Sequence, residues 1–248
     1  MDAADTQTFK PATSEFLDAV VSPQPSVAAF DCDGTLWSGD AGERFFDWEM
    51  KQDEMVAELR DHGVLPESMR ERYAAYKRGE VDETTMCGEM VTMHKGIAES
   101  KLMAAAIAFF DEFFIDLIFA EMRELVRRLQ ENNCEVWVVS SSNEWVIRAG
   151  MRHFGIAENR ILAAKVELQR GAATDRLVRV PSGTGKPQAL REVVGKGIDV
   201  AFGNARWDTE MLAMAQRAFA VNPNPDLEST ARKRGWKIYF PEATRVQR

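Results

Sequence analysis

The chain reads as an α/β protein: a parallel sheet with helices on both faces, interrupted by an inserted α-helical bundle. Three observations predict this. Short apolar runs alternate with amphipathic helical stretches. One stretch of about eighty residues carries helical periodicity alone. Polar loops follow the apolar runs, at the carboxyl ends of strands where open α/β sheets take their ligands.

Residues 1–25 are polar and carry Pro11, Pro23 and Pro25, which predicts a leader with one short helix over Ser14 to Val21. Val27 to Phe30 is the first strand. From about Ala41 to Ala120 the pattern is helical: Phe45, Phe46, Met50, Met55, Leu59 and Val64 recur at three-to-four spacing, ahead of breaks at Gly63 and Pro66. Further helices are expected over 67–78, 82–95 and 99–118, enough for a small bundle. Alternation then resumes, with Glu121 to Gln130 helical and Glu135 to Val139 a buried strand ending at Ser140-Ser141-Ser142. Glu144 to Phe154 is helical, and 161–180 reads as two antiparallel strands turned about Gly171. A helix over Lys186 to Val194, a strand over Asp199 to Phe202, a helix over Thr209 to Ala218 and a last strand to Val221 complete the pattern. The expected division is a core of 1–38 and 119–248 with a cap of 39–118.

Composition narrows the function classes. A formal charge of −8 argues against nucleic acid or an anionic membrane as the main partner. Arg232-Lys233-Arg234 reads as the solvated last turn of a helix. Cys32, Cys87 and Cys134 lack zinc-type or CxxC spacing, which fits a reducing compartment. Met1 to Asp5 lacks the basic and apolar regions of a signal peptide, and Asp111, Glu112 and Asp116 break the most apolar stretch. The expected location is the cytoplasm.

The loops carry the chemistry. Asp31 and Asp33 follow the first strand two residues apart, and side-chain alternation would aim both the same way. Asp31 can attack an electrophilic phosphorus, and Asp33 can move the proton. Alternatively, Asp-x-Asp-Gly is only a turn. Ser140, with the Ser141 N–H, can hold a phosphate oxygen at a helix N-terminus, or simply cap that helix. Lys186 opens a helix, where a cation opposes the dipole, so balancing two carboxylates and a phosphate would explain it. A solvated lysine is the other reading. Asp208 can complete an oxygen-rich Mg²⁺ site with Asp31 and the Asp33 carbonyl, or cap the next helix.

Taken in order, these loops resemble the four motifs of the haloacid dehalogenase superfamily, and the helical insertion between the first two resembles the cap of its phosphoserine phosphatase-like branch. Phe30-Asp31-Cys32-Asp33-Gly34-Thr35-Leu36 resembles the first motif and Val138-Val139-Ser140 the second. Gly185-Lys186-Pro187 resembles the third, and Phe202-Gly203-Asn204 through Asp208 the fourth. The resemblance implies a Rossmann-like core with a helical cap, Asp31 as nucleophile and Asp33 as general acid/base. It also implies that Ser140 and Lys186 hold the phosphoryl group, and that Mg²⁺ lies near Asp31, Asp33, Asn204 and Asp208. Asp33 points away from dehalogenation, in which no leaving oxygen needs a proton. Within the cap, Asp40 or Glu43 would be the acid that reads an amine.

The expectation is a Mg²⁺-dependent phosphatase of a small phosphorylated metabolite, working through an aspartyl-phosphate. Phosphoryl transfer to another acceptor, or phospholigand binding without catalysis, are the alternatives. Two departures qualify the resemblance. Met90 stands where phosphoserine phosphatases place a carboxylate-reading arginine, and Glu83 where they place a phenylalanine, which disfavours phosphoserine. Asn204 stands where an acid is usual, which would weaken metal binding. Trp37, Trp145 and Trp207 each lie close to a motif; they would either wall an aromatic or quaternary ammonium group or pack in the core.

Overall fold

The structure, a computed structural model, describes residues 9–245; the first eight residues of the expected leader lie outside the described residues. The leader helix α1 (Pro11–Val21) begins at Pro11, where proline suits a first turn. Strand β1 (Val27–Phe30) follows, and then five helices: α2 (Ala41–Glu49), α3 (Asp53–Asp61), α4 (Pro66–Lys77), α5 (Glu83–Thr92) and α6 (Glu99–Phe113). The chain then runs α7 (Ala120–Glu131), β2 (Glu135–Asn143), α8 (Glu144–Met151), β3 (Ile161–Gln169), β4 (Ala172–Arg179), α9 (Gly185–Val193) and β5 (Val200–Gly203). Helix α10 (Thr209–Met214), β6 (Arg217–Val221), α11 (Pro225–Arg234), β7 (Lys237–Tyr239) and a last turn, α12 (Glu242–Arg245), complete it.

The seven strands form one sheet in the order β4-β3-β2-β1-β5-β6-β7. All neighbours are parallel except the β3–β4 hairpin. Pairing of Ala29 with Trp137 and Ala201 brings the carboxyl ends of β1, β2 and β5 to one edge. Alternation splits each central strand between two cores. Phe30, Val138 and Phe202 face a core shared with α1, α7 and the inserted helices, and the rings of Phe30 and Phe202 stack at 4.2 Å. Ala29, Val139 and Ala201 face a second core with α9, α10 and α11. Burial on both faces explains why these strands read as unbroken apolar runs.

The hairpin turns at Arg170-Gly171, both at positive φ. It also reaches the insertion: the Gly96 N–H donates to the Ala173 carbonyl and the Glu99 N–H to that of Gly171, both near 2.9 Å (2.8 and 2.9). Among the described residues, no helix is long and apolar enough to cross a membrane.

Two expectations change. Strand β2 runs on to Asn143, because Asn143 still pairs with Ala164 of β3 beyond a register shift. Asn143, not Ser140, therefore caps α8, accepting from the N–H groups of Trp145 (3.0 Å) and Val146 (3.2 Å). Strand β7 was not expected: its three residues include the exposed Lys237, and it is held at the sheet edge by pairing with β6.

Candidate active site

At the carboxyl edge of the sheet, beneath the inserted helices, lies a cavity of about 450 Å³ lined by Asp31, Asp33, Ser140, Lys186, Asn204 and Asp208 among others. β1 ends at Phe30, but the Asp31 N–H still donates to the Phe202 carbonyl (2.9 Å), so the nucleophile candidate is fixed by the sheet itself. Asp31 Oδ2 accepts from Thr35 Oγ1 at 2.8 Å, and Oδ1 accepts from Lys186 Nζ at 2.7 Å.

Lys186 is nearly fully buried and ties three elements together. Its ammonium also donates to Asp208 Oδ1 at 2.6 Å and to the Val139 carbonyl at 3.1 Å. Burial alone would lower its pKa, but the charges of Asp208 and Asp31 outweigh that and hold the ammonium above its ordinary value. The solvated-lysine reading is thereby excluded. Asp31 is pushed up to about 7, first by burial and then by the charge of Asp208, against the opposing pull of Lys186. Two carboxylates share one ammonium, so the site is short of positive charge.

Asp33 lies on the same cavity with a separate set of partners. Its Oδ1 accepts from Trp37 Nε1 (2.8 Å) and the Ala41 N–H (2.6 Å), and its Oδ2 from Ser142 Oγ (2.7 Å). Burial still raises its pKa above the ordinary value, although the donors from Ala41, Ser142 and Trp37 oppose it. Asp33 is thus a carboxyl group disposed to carry a proton.

The second motif departs in detail from its expected form. Ser140 Oγ accepts from the Ser142 N–H at 3.1 Å. The Ser141 hydroxyl donates to Glu83 Oε1 (3.0 Å), and Ser182 Oγ donates to the same oxygen (2.8 Å), so Glu83 joins α5 to two core loops. Asp208 does not cap α10. Its Oδ2 turns back to accept from the Asn204 and Ala205 N–H groups, both at 2.9 Å, closing the fourth loop.

Asp40 caps α2 by accepting from the Glu43 N–H (2.8 Å), while the Glu43 carboxylate pairs with Lys77 at 3.0 Å. Both line the cavity, as do Glu83 and Met90. The aromatic wall does not form. Trp37 and Trp145 are fully buried: Trp37 packs edge-on against Phe110 and Trp145 against His94, and Trp207 alone of the three reaches the cavity. Phe46 and Tyr76 of the insertion line it too, without any motif to announce them. Thr35 and Ser142 orient the two acids, and nothing in the local pattern of Asp31 to Thr35 or Ser140 to Ser142 marks them for that part. Glu49 and His94 pair at 2.8 Å across 45 residues, and no local pattern signals them.

The donor set around Asp31 suits a hard cation. Asp31, the Asp33 carbonyl, Asn204 and Asp208 offer oxygen atoms only, which is the chemistry Mg²⁺ selects. Among the described residues no three His, Cys, Asp or Glu side chains form a metal cage, so this set depends on a carbonyl and an amide. The Asn204 side chain crosses directly over Gly34, which has φ +73°; a Cβ there would fall 1.8 Å from Asn204 Nδ2. Gly34→Ala is expected to cost about 1–3 kcal/mol from the left-handed backbone alone. It should also displace Asn204, so a lowered melting temperature and weakened Mg²⁺ binding by calorimetric titration are expected together.

This α/β sheet, with its acid pair, buried lysine and returning aspartate, has the architecture of a family of hydrolases. Residues 28–213 match the haloacid dehalogenase-like hydrolase family, and the chain belongs to it. A Mycobacterium leprae protein named as a hydrolase is 27% identical over 232 residues, covering 89% of this chain and 76% of its own. Phosphoserine phosphatase SerB1 of Mycobacterium tuberculosis is 29% identical over 150 residues, 58% of this chain and 48% of that protein, so the match spans about half of SerB1. A phosphoserine phosphatase solved as an analogue of its phospho-aspartyl intermediate superposes with a TM-score of 0.56 at 16% identity, covering 87% and 93% of the two chains. At that identity the likeness is one of fold.

Proposed function

We infer that this hydrolase is a Mg²⁺-dependent phosphatase that acts on a small phosphomonoester through an aspartyl-phosphate on Asp31. The observation that carries this reading is the division of the two acids on one cavity: Asp31 shares an ammonium with Asp208, whereas Asp33 has neutral donors only. The phosphatase names among its relatives support it.

An Asp31 oxygen attacks phosphorus and the bond to the leaving oxygen breaks. Asp33 gives its proton to that oxygen. Asp33 then takes a proton from water, whose oxygen attacks phosphorus and breaks the bond to Asp31, releasing phosphate. Lys186 and Ser140 hold the phosphoryl oxygens, and the Ser141 N–H would add a donor. Mg²⁺ held by Asp31, the Asp33 carbonyl, Asn204 and Asp208 would neutralise charge on the phosphoryl group. We read the inserted helices as a cap that excludes bulk water from this chemistry.

Acid-quenched turnover of an aryl phosphate should leave a phosphoryl group on the peptide containing Asp31. Steady turnover with the label on another residue, or on none, would refute the assignment. Asp33→Asn should slow alkyl phosphates by about 10²–10⁴-fold. Aryl phosphates with good leaving groups, which need less proton donation, should suffer less; equal losses across leaving groups would remove Asp33 as the acid.

A further inference from the structure

The cavity is unevenly charged. Around Lys186 stand Asp31, Asp33 and Asp208; on the side of the insertion stand four more carboxylates, Asp40, Glu43, Glu49 and Glu83, and among the described residues no lysine or arginine lines that side. Glu43 has Lys77 as a partner outside the cavity lining. Glu83 is bonded by two neutral hydroxyls, and burial raises its pKa above the ordinary value. Burial likewise holds Asp40 well above the usual carboxylate range. Since Mg²⁺ and a phosphate dianion cancel, neither relieves this excess of acid.

Glu49 adds an independent sign of a ligand. It is fully buried in the cavity wall, at the last turn of α2. Its Oε1 is held by His94 Nε2 at 2.8 Å, and the other ring nitrogen of His94 lies 3.3 Å from the Val91 carbonyl. Its Oε2 has no hydrogen-bond partner among the described residues. A buried acceptor fixed in place and left unmet is costly unless a donor arrives. The remaining wall is Phe46, Tyr76, Met86, Met90 and Trp207, which suits a short organic body.

We propose that the alcohol part of the substrate is a protonated nitrogen cation without a carboxylate, whose N–H donors are taken by Glu49 and Glu83. This rests on the phosphatase reading for its phosphate end. The N–H requirement separates a protonated amine or heterocycle from a quaternary ammonium, which has nothing to give Glu49 Oε2. Among the described residues no arginine lines the cavity, and Met90 stands in its wall, which separates it from an amino acid phosphate, whose carboxylate would face the acids of that side.

The test uses non-hydrolysable phosphonates and the wild-type protein in Mg²⁺, with dissociation constants from calorimetry. 3-Aminopropylphosphonate should bind about 10- to 100-fold more tightly than n-butylphosphonate, the range expected for a hydrogen bond to a charged group. Its trimethylammonium counterpart and 2-amino-3-phosphonopropionate should lose most of that advantage. Glu49→Gln and Glu83→Gln should each shrink the amine-to-butyl ratio, a ratio that a general loosening of the cavity would leave unchanged. Equal affinity for the amino and butyl compounds, or binding of neither, overturns the proposal. Aryl phosphate turnover run alongside tests the underlying reading separately. Amine-selective binding without turnover would overturn the reaction and keep the cation site, whereas turnover without selectivity would do the reverse.

Discussion

Asp31→Asn should abolish turnover, by about 10³-fold or more, and yet make the metal-free protein more stable above neutral pH. The loss follows from removing the nucleophile. The gain follows from charge: two buried carboxylates share Lys186, and an amide at position 31 leaves one ammonium facing one carboxylate. An Asn oxygen can still accept from Lys186, and its amide can donate to Thr35 Oγ1. Asp31 is pushed up to about 7 from 3.8, so the folded protein binds this proton more tightly than the unfolded chain does. Its contribution to stability therefore falls as pH rises from about 4 to about 7. Asn cannot ionise and escapes that fall. In chelator at pH 8 the variant should melt about 2–4 °C above wild type, which corresponds to about 1 kcal/mol for a chain of this size. At pH 5, where Asp31 holds its proton, the difference should close. Mg²⁺ should stabilise the wild type more than the variant, because binding to the folded state alone raises stability in proportion to affinity. A variant less stable than wild type at pH 8 in chelator would contradict the account of charge.

Val27–Phe30, Glu135–Val139 and Asp199–Phe202 were legible because parallel strands covered on both faces must be apolar throughout. Lys237–Tyr239 was not, because an edge strand of three residues needs only its neighbour's hydrogen bonds and carries no pattern of its own. The same physics divides the site. Asp31, Asp33 and Asp208 lie within a few residues of the ends of β1 and β5, where topology alone brings them to one edge, and Lys186 reaches that edge from the first turn of α9. Side-chain direction is another matter. Trp37 stands in the same loop as the first two acids, but its indole turns into the core beneath α6 and only its Nε1 reaches Asp33. Trp145 lies on the face of α8 that packs inward. Glu49 and His94 meet because α2 packs against the segment after α5, a contact no local spacing encodes.

Lys186→Met should have the largest effect on folding. Methionine matches the length of the aliphatic stem but leaves Asp31 and Asp208 as two buried acids with no cation between them. Breaking a buried ion pair by deleting one partner costs about 3–5 kcal/mol, which for a chain of this size is a fall of about 6–20 °C in melting temperature. Without the ammonium Asp31, already pushed up by burial, resists ionisation more strongly, so the deficit should be greatest at pH 8 and shrink toward pH 4 as Asp31 takes up its proton. Mg²⁺ should recover part of the stability, because its charge relieves the same two carboxylates, but not the activity, since the phosphoryl group has lost its donor. Lys186→Arg should not restore turnover: a planar fork cannot reach Asp31, Asp208 and the Val139 carbonyl from the position of one compact ammonium. A Lys186→Met protein melting within about 2 °C of wild type at pH 8 in chelator, less than the shift expected for 1 kcal/mol, would mean that the lysine does not bear the charge of the site.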